Sequence, residues 1–187
     1  TGVGYESVAI ASATKRNIPV VYTPAAGAKA VAEGAITYML TLCKRINYWD
    51  QQLKNGNWES REQSRPADLY GAVLGIVGLG NIGQTLAKLA RPFGMSILAH
   101  DPYATPQRAS ELGVELVSLE HLLASADFIS IHTPLTPETK GLINRRRLKL
   151  VKHGAYLINL ARGGVVDSLD TLYEALKEGV LAGVGLD

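Results

Sequence analysis

The sequence has very little cysteine and no long apolar run, and these two absences exclude several classes of protein. Cys43 is the only cysteine among 187 residues, so neither an internal disulfide nor a cysteine-rich metal site can form. A reducing, cytoplasmic compartment is the expectation that fits. No apolar run approaches the roughly 18 residues that a membrane span needs. The 19 basic and 17 acidic residues leave a net charge of +2, which gives no electrostatic reason to expect binding to nucleic acid or to a membrane surface.

The two ends of the sequence look like cut ends. It begins with Thr1 rather than Met, has no charged-then-apolar leader, and stops on the strand-like run 181–187. We therefore expect an excised part of a longer protein. The length suffices for one good-sized core, or for one domain and part of a second.

A glycine-rich turn follows the first clear strand. Apolar residues 73–77 predict a buried strand, and Gly78, Gly80 and Gly83 follow it in the pattern G-x-G-x-x-G. These glycines suit a tight turn, the close approach of a pyrophosphate, and the close packing of helix on strand.

The apolar periodicity of residues 81–92 predicts a helix directly after this turn. Its N-terminus presents backbone N–H groups and the positive end of the helix dipole. We expect the N–H groups of Asn81 and Ile82 to bind the pyrophosphate of a dinucleotide.

Strand-like and helix-like segments alternate through the rest of the sequence. Alternation of this kind implies parallel strands joined by crossover helices. The sequence thus predicts an α/β fold with a Rossmann-type doubly wound parallel sheet over 72–187. The further strand-like runs are 96–101, 114–117, 126–132, 154–160 and 181–187, and the further helical patterns cover 105–112, 118–124, 145–152 and 168–178.

Two polar residues are predicted at the carboxyl ends of the next strands, where parallel sheets bind ligands. Asp101 lies 18 positions after Gly83, the spacing at which a carboxylate accepts hydrogen bonds from the adenosine ribose and repels a 2′-phosphate, which favours NAD over NADP. A helix-capping role is the alternative for Asp101. Thr133, in the loop 132–139, is placed to contact the ribose or phosphate on the nicotinamide side.

The loop 159–167 (NLARGGVVD) carries Arg162 to the same edge. Beside a nicotinamide ring, a guanidinium can bind a carboxylate through two hydrogen bonds and polarise an adjacent carbonyl. A structural arginine in a salt bridge is the alternative from spacing alone.

The part of the sequence before residue 72 does not show this regular alternation of strand-like and helix-like segments. Residues 6–17 predict a helix and residues 18–22 a strand, and 25–55 predict one helix too long simply to cover a sheet. Such a helix usually bridges two domains or contributes to a dimer contact, and Trp58 in the polar arm after it is a candidate subunit anchor. The basic run 144–154 has leucines at helical spacing, so it predicts the solvated face of an amphipathic helix rather than a nucleic-acid site.

Taken together, these strings resemble the D-isomer-specific 2-hydroxyacid dehydrogenases over essentially the whole chain. The resemblance lies in LGIVGLGNIGQ, HDPYA, HTPLTPETKGLINRRRLKLVKHGAYLINLARGGVVD and LAGVGLD, of which NLARGGVVD is the most specific. Within the family, the sequence is most similar to phosphoglycerate dehydrogenases and to glyoxylate or hydroxypyruvate reductases.

The resemblance implies an architecture and a partner. The family inserts its NAD-binding domain into a flavodoxin-like substrate domain, so residues 1–24 would be a remnant of the substrate domain and 25–187 the NAD-binding domain. Thr1 would then lie near the nicotinamide. The family is typically a homodimer built on its cofactor domains, which suits the helical segment 25–55 and Trp58.

The resemblance also implies a reaction, the transfer of a hydride between NAD(H) and a small 2-hydroxy or 2-oxo acid. Arg162 matches the family's active-site arginine, which binds the substrate carboxylate. Leu160, Ala161 and Asp187 would lie near the nicotinamide. The family's catalytic glutamate and histidine fall after Asp187, so the chain alone is expected to be inactive.

Two departures and two alternatives stand beside this interpretation. Gly27 and Gly34 replace an asparagine and a histidine that the family often has, so contacts to the substrate or the hinge are expected to differ. The same family includes non-catalytic corepressors that sense NAD(H). A methyltransferase or another Rossmann-like enzyme with a different nucleotide is the second alternative, and NLARGGVVD argues against it.

Overall fold

A six-stranded parallel sheet organises the part of the chain that the computed structural model describes, which is residues 4, 8–23, 25–59 and 66–187. The strand order is β3-β2-β1-β4-β5-β6 and every pairing is parallel, which confirms the predicted Rossmann-type sheet. The strands are β1 (Val73–Val77), β2 (Ser96–His100), β3 (Glu115–Leu116), β4 (Phe128–Ile131), β5 (Ala155–Asn159) and β6 (Leu181–Leu186). The helices are α1 (Ile10–Lys15), α2 (Ala28–Cys43), α3 (Ile46–Lys54), α4 (Asn81–Ala90), α5 (Pro106–Leu112), α6 (Leu119–Ser125), α7 (Arg145–Leu148) and α8 (Leu169–Lys177).

Side-chain capping sets where several of these helices begin. The hydroxyls of Thr105, Ser118 and Ser168 each accept the backbone N–H three residues later, at the first turns of α5, α6 and α8. Such caps satisfy N–H groups that the helix itself leaves without a partner. These caps therefore fix the residue at which each of the three helices begins.

Two apolar layers cover the two faces of the sheet. Because side chains alternate along a strand, Ile76 and Phe128 pack on one face with Met39 of α2 and Leu86 of α4. The other layer is formed by neighbouring strand residues and by residues of α6 and α8, including Ile129, Leu157, Leu122 and Leu172. Burial on both faces explains why the strands read as nearly continuous apolar runs.

The single helix predicted over 25–55 is wrong, because the chain forms α2 and α3 with a sharp break between them. Arg45 has a φ of 54°, in the left-handed region. The carbonyl of Cys43 accepts the N–H of Ala67 at 3.1 Å, whereas in a continuous helix it would accept the N–H four residues later. The Arg45 guanidinium lies 4.3 Å from the centre of the Tyr48 ring.

The strand predicted over 18–22 is also wrong, since these residues form no strand. Ile18, Val20 and Val21 are exposed, Val21 to 87%. A strand needs a neighbour to complete its hydrogen bonds, and the described sheet ends at β3 and β6. The assignment of 1–24 to a substrate domain stays a prediction, and Thr1 lies outside the described residues.

Candidate functional site

The residues predicted to form the site follow five different strands at one edge of the sheet. Because all six strands are parallel, their carboxyl ends meet at this edge, which is where open α/β sheets bind ligands. The glycine turn follows β1, Asp101 follows β2, Thr133 follows β4, Leu160–Arg162 follow β5, and Asp187 follows β6.

The three glycines of the turn have different surroundings. A Cβ on Gly83 would lie 2.2 Å from the carbonyl oxygen of Gly78, and one on Gly78, whose φ is +98°, would lie 2.9 Å from the backbone of His132 and Thr133. A Cβ on Gly80 would meet no atom within 4 Å. Packing therefore accounts for Gly78 and Gly83, whereas the bare backbone of Gly80 faces open space.

Helix α4 begins directly after Gly80. The N–H of Gln84 donates to the Gly80 carbonyl at 2.9 Å, so the N–H groups of Asn81, Ile82 and Gly83 precede the first intrahelical bond and point along the helix axis. An open glycine followed by these donors and by the positive end of a helix dipole suits a diphosphate.

The carboxylate of Asp101 joins the end of β2 to the glycine turn. Its Oδ2 accepts the N–H of Leu79 at 2.7 Å, and its Oδ1 accepts the N–H of Tyr103 at 2.8 Å. An ionised carboxylate has about four acceptor positions, so two remain for ribose hydroxyls. The side chain caps no helix but helps to shape the glycine turn.

Thr133 lies against the glycine turn through its backbone, as the contact with Gly78 shows. The residue before it, His132, has Nε2 at 2.8 Å from the Ser130 hydroxyl. His132 Nδ1 is buried with no hydrogen-bond partner among the described residues, and burial lowers the pKa of His132 to about 4. His132 is thus neutral at physiological pH.

Asn159, which the sequence analysis did not single out, organises the turn that carries Arg162. It is 2% exposed; its Oδ1 accepts the N–H of Ala161 at 3.1 Å and its Nδ2 donates to the carbonyl of Arg162 at 3.0 Å. Its backbone carbonyl accepts the N–H of Asp187 at 3.2 Å. Asparagine and aspartate commonly form such side-chain turns at strand ends, so the residue type was the available signal.

The Arg162 side chain is half-buried, and its Nη1 donates to the carbonyl of Ala161 at 2.8 Å. The backbone at Arg162 is extended and precedes a short 3₁₀ turn, Gly163–Val165. The guanidinium therefore stays close to the turn that Asn159 holds.

Helix α2 packs against the end of β6. The Tyr38 hydroxyl donates to the carbonyl of Leu186 at 2.9 Å, and a Cβ on Gly185 would lie 2.7 Å from the Tyr38 ring. Gly34 faces Leu160, with 3.5 Å between its Cβ position and Leu160 Cδ1, and the Cβ position of Gly27 is open.

Two basic residues of the run 144–154, Arg147 and Lys152, bond to other parts of the fold. Arg147 lies 3.6 Å from the carboxylate of Glu120 and donates to the carbonyl of Leu142 at 3.0 Å. Lys152 pairs with Asp127 at 2.7 Å. In the described ranges, no helix is long and apolar enough to cross a membrane, and no three His, Cys, Asp or Glu side chains are grouped to hold a metal ion.

Comparison with known proteins identifies the family. Residues 36–187 match the profile described as D-isomer specific 2-hydroxyacid dehydrogenase, NAD binding domain. The chain is 42% identical over 187 residues to the D-3-phosphoglycerate dehydrogenase of Methanocaldococcus jannaschii, covering 100% of the chain and 35% of that protein. It is 44% identical over 191 residues to the glyoxylate reductase of Thermococcus litoralis, covering 99% of the chain and 57% of that protein.

The fold agrees with solved structures of the family. The crystal structure of D-lactate dehydrogenase from Aquifex aeolicus complexed with NAD and lactic acid superimposes with a TM-score of 0.90 at 37% identity, covering 100% of this chain and 55% of that one. The chain thus spans about a third to just over half of the proteins it matches. With its parallel sheet and its open glycine turn, the chain belongs to the D-isomer-specific 2-hydroxyacid dehydrogenases, as their NAD-binding domain.

Proposed function

We propose that the chain is the cofactor half of an enzyme that transfers a hydride between NAD(H) and a small D-2-hydroxy acid or its 2-oxo acid. The observation that carries this proposal is that Arg162 leaves the sheet at the same edge as the open glycine turn. Bound NAD(H) would supply the hydride chemistry.

The residues of the chain would bind and orient the two ligands. The N–H groups of Asn81 and Ile82 bind the diphosphate over Gly80, and Asp101 binds the adenosine ribose through its remaining acceptor positions. Opposite charge favours a carboxylate substrate at Arg162, and a planar guanidinium holds it in one orientation.

The nicotinamide end of the cofactor would lie over the loops that follow β4, β5 and β6. Thr133 and the backbone of Leu160 and Ala161 contact its ribose and ring, and Asp187 lies near its carboxamide. Each of these residues ends or follows a strand at the same edge, which supports the assignment.

The specific substrate that we propose is a 2-hydroxy acid with a phosphate group on carbon 3, the kind of compound that D-3-phosphoglycerate dehydrogenase is named for. Several curated relatives of about 41% identity over the full chain carry that name. A similarity to glyoxylate reductase of 44% keeps glyoxylate or hydroxypyruvate as the second candidate. The proton donor and the contacts that select the substrate would come from parts of a longer protein.

We also propose that the protein is a cytoplasmic homodimer. Helix α3 has no buried residue, and Ile46, Leu53 and Trp58 in this region are 49%, 57% and 59% exposed. Large apolar side chains exposed along one segment favour a surface that binds a partner.

Titration of the chain with NADH, monitored by the fluorescence of NADH, tests the proposed binding of the cofactor. We expect saturable binding, weaker binding of NADPH, and no displacement by S-adenosylmethionine. Asp101→Ala is expected to weaken NADH binding about tenfold or more, because the variant loses ribose acceptors and the bond to Leu79. Asp170→Ala is the control: it removes the same charge from the first turn of α8. An unchanged affinity of Asp101→Ala would disprove the ribose assignment.

Turnover by the longer protein tests the reaction and the substrate. Oxidation of NADH by phosphohydroxypyruvate, hydroxypyruvate, glyoxylate and pyruvate is compared under the same conditions. Preference for the phosphorylated acid supports the finer proposal, and preference for glyoxylate supports the second candidate. Absence of turnover with every acid would instead favour a protein that only senses NAD(H).

A further inference from the structure

The peptide groups on both sides of Leu79, in the middle of the glycine turn, are each fixed by a side chain. The N–H of Leu79 donates to Asp101, as described above, and its carbonyl accepts Nε2 of Gln84 at 2.9 Å. The Leu79 side chain is 3% exposed in the apolar layer. Since the peptide is planar and trans, fixing the Leu79 carbonyl also fixes the direction of the Gly80 N–H, which points away from Gln84.

The other end of the Gln84 amide is held by Arg108 of α5. Gln84 Oε1 accepts both Nε of Arg108 at 3.1 Å and Nη2 at 2.8 Å. The remaining Nη1 of Arg108 donates to Glu111 at 3.1 Å. A chain of hydrogen bonds thus runs from α5 through α4 to the glycine turn.

The chemistry of the two partners allows only one orientation of the Gln84 amide. A guanidinium only donates hydrogen bonds and a carbonyl only accepts them. The amide oxygen must therefore face Arg108 and the amide nitrogen must face Leu79. Without Arg108, the amide oxygen loses the two donors that hold it in the fold, so the Gln84 side chain can turn toward water and release the Leu79 carbonyl.

We propose that Arg108 is a positioning residue for the glycine turn, which it holds through Gln84 in the conformation that binds the diphosphate. Arg108 acts without contact to the cofactor. Cofactor affinity thus depends on the docking of α5 as well as on the turn itself. This inference rests on the proposed binding of NAD(H) over Gly80.

A double-mutant cycle on NADH affinity tests the proposal. Arg108→Met is expected to raise the Kd for NADH roughly fivefold, the change that corresponds to the loss of one net hydrogen bond. Gln84→Met is expected to raise it by a similar or greater factor. The double variant is expected to bind no more weakly than Gln84→Met, because both residues act through the same bond. Arg108→Lys should recover part of the affinity by supplying one donor.

Lys88→Met is the charge-matched control, since Lys88 lies on α4 one turn beyond Gln84. Its removal should leave the Kd close to that of the wild type. Multiplicative effects of the two single substitutions, or equal losses in Lys88→Met and Arg108→Met, would overturn the proposal.

Amide hydrogen exchange of residues 79–82 in the chain without cofactor gives an independent readout. We expect faster exchange in Arg108→Met than in the wild type, with unchanged exchange in β5 and β6 and a similar Tm. Unchanged exchange at 79–82 would overturn the positioning role. If the wild type failed to bind NADH at all, the proposed function would fail, whereas the exchange measurement would still decide the role of Arg108.

Discussion

Alanine substitutions at Gly80 and Gly83 are expected to separate the cofactor role of the glycine turn from its packing role. The Cβ that Gly83→Ala introduces would lie 2.2 Å from the Gly78 carbonyl oxygen, so backbone must move. The Cβ that Gly80→Ala introduces would meet nothing within 4 Å, and a φ of −72° at this position suits alanine.

The expected changes in folding stability follow from these contacts. Overpacking costs about 1–3 kcal/mol, and a backbone clash places Gly83→Ala near the upper end; the better helix propensity of alanine returns about 1 kcal/mol. The net loss of about 2 kcal/mol corresponds to a fall in Tm of about 4–8 °C for a chain of this size. For Gly80→Ala, a gain of about 0.4–1 kcal/mol from a stiffer unfolded chain is offset by a comparable loss of capping preference.

The assays are thermal unfolding and NADH titration of both variants. Gly80→Ala is expected to keep the Tm within about 2 °C of the wild type and to weaken NADH binding about tenfold or more, roughly 1.4 kcal/mol, because its methyl group occupies the space of the diphosphate. Wild-type affinity in Gly80→Ala, or a loss of stability there equal to that of Gly83→Ala, would refute the reasoning.

Three further substitutions test contacts elsewhere in the fold. Asn159→Asp places a buried carboxylate against the carbonyl of Arg162 and should lower the free energy of unfolding by about 2–3 kcal/mol at pH 7. Since a protonated acid can donate this bond, urea unfolding should show a smaller loss of stability at pH 5. An equal loss at both pH values would contradict the assigned bond. The pKa of His132 is about 4 in the fold, below its unfolded value of about 6.5, so the unfolded state binds more protons as pH falls and His132 should lower the free energy of unfolding by about 2 kcal/mol between pH 7.5 and 5. His132→Gln should therefore show a smaller loss of stability over this pH range in urea titrations. An identical loss in the variant and the wild type would place the acid sensitivity elsewhere. Tyr38→Phe removes the hydrogen bond to the Leu186 carbonyl and should lower the free energy of unfolding by about 0.5–1 kcal/mol without altering NADH affinity. A large loss of NADH affinity would instead show that α2 shapes the site.

The features that could be predicted from the sequence are those with a local pattern. The apolar runs and the helical periods between them determined the order of the elements, and the parallel arrangement followed from the length of the connections. The glycine turn and the place of Asp101 could be predicted because strand, turn and helix follow one another directly.

The features that could not be predicted depend on contacts between distant segments. The break at Arg45 has no glycine or proline to mark it, and arises where Ala67 takes the hydrogen bond of the Cys43 carbonyl. Residues 18–22 have the composition of a strand, but no other strand pairs with them in the described part of the chain. The side chain of Asn159 bonds only to backbone groups, and that of Gln84 bonds to the Leu79 carbonyl and to Arg108, 24 residues further along the chain. Neither set of contacts has a local pattern in the sequence.

A crystal structure of the chain with NADH is the most direct test of the central claim, that the carboxyl edge of the sheet binds the dinucleotide. We expect the diphosphate over Gly80 within hydrogen-bond distance of the Asn81 and Ile82 N–H groups, the adenosine ribose on Asp101, and the nicotinamide toward Arg162. A dinucleotide bound on another face of the sheet, or one with its diphosphate away from the start of α4, would contradict it.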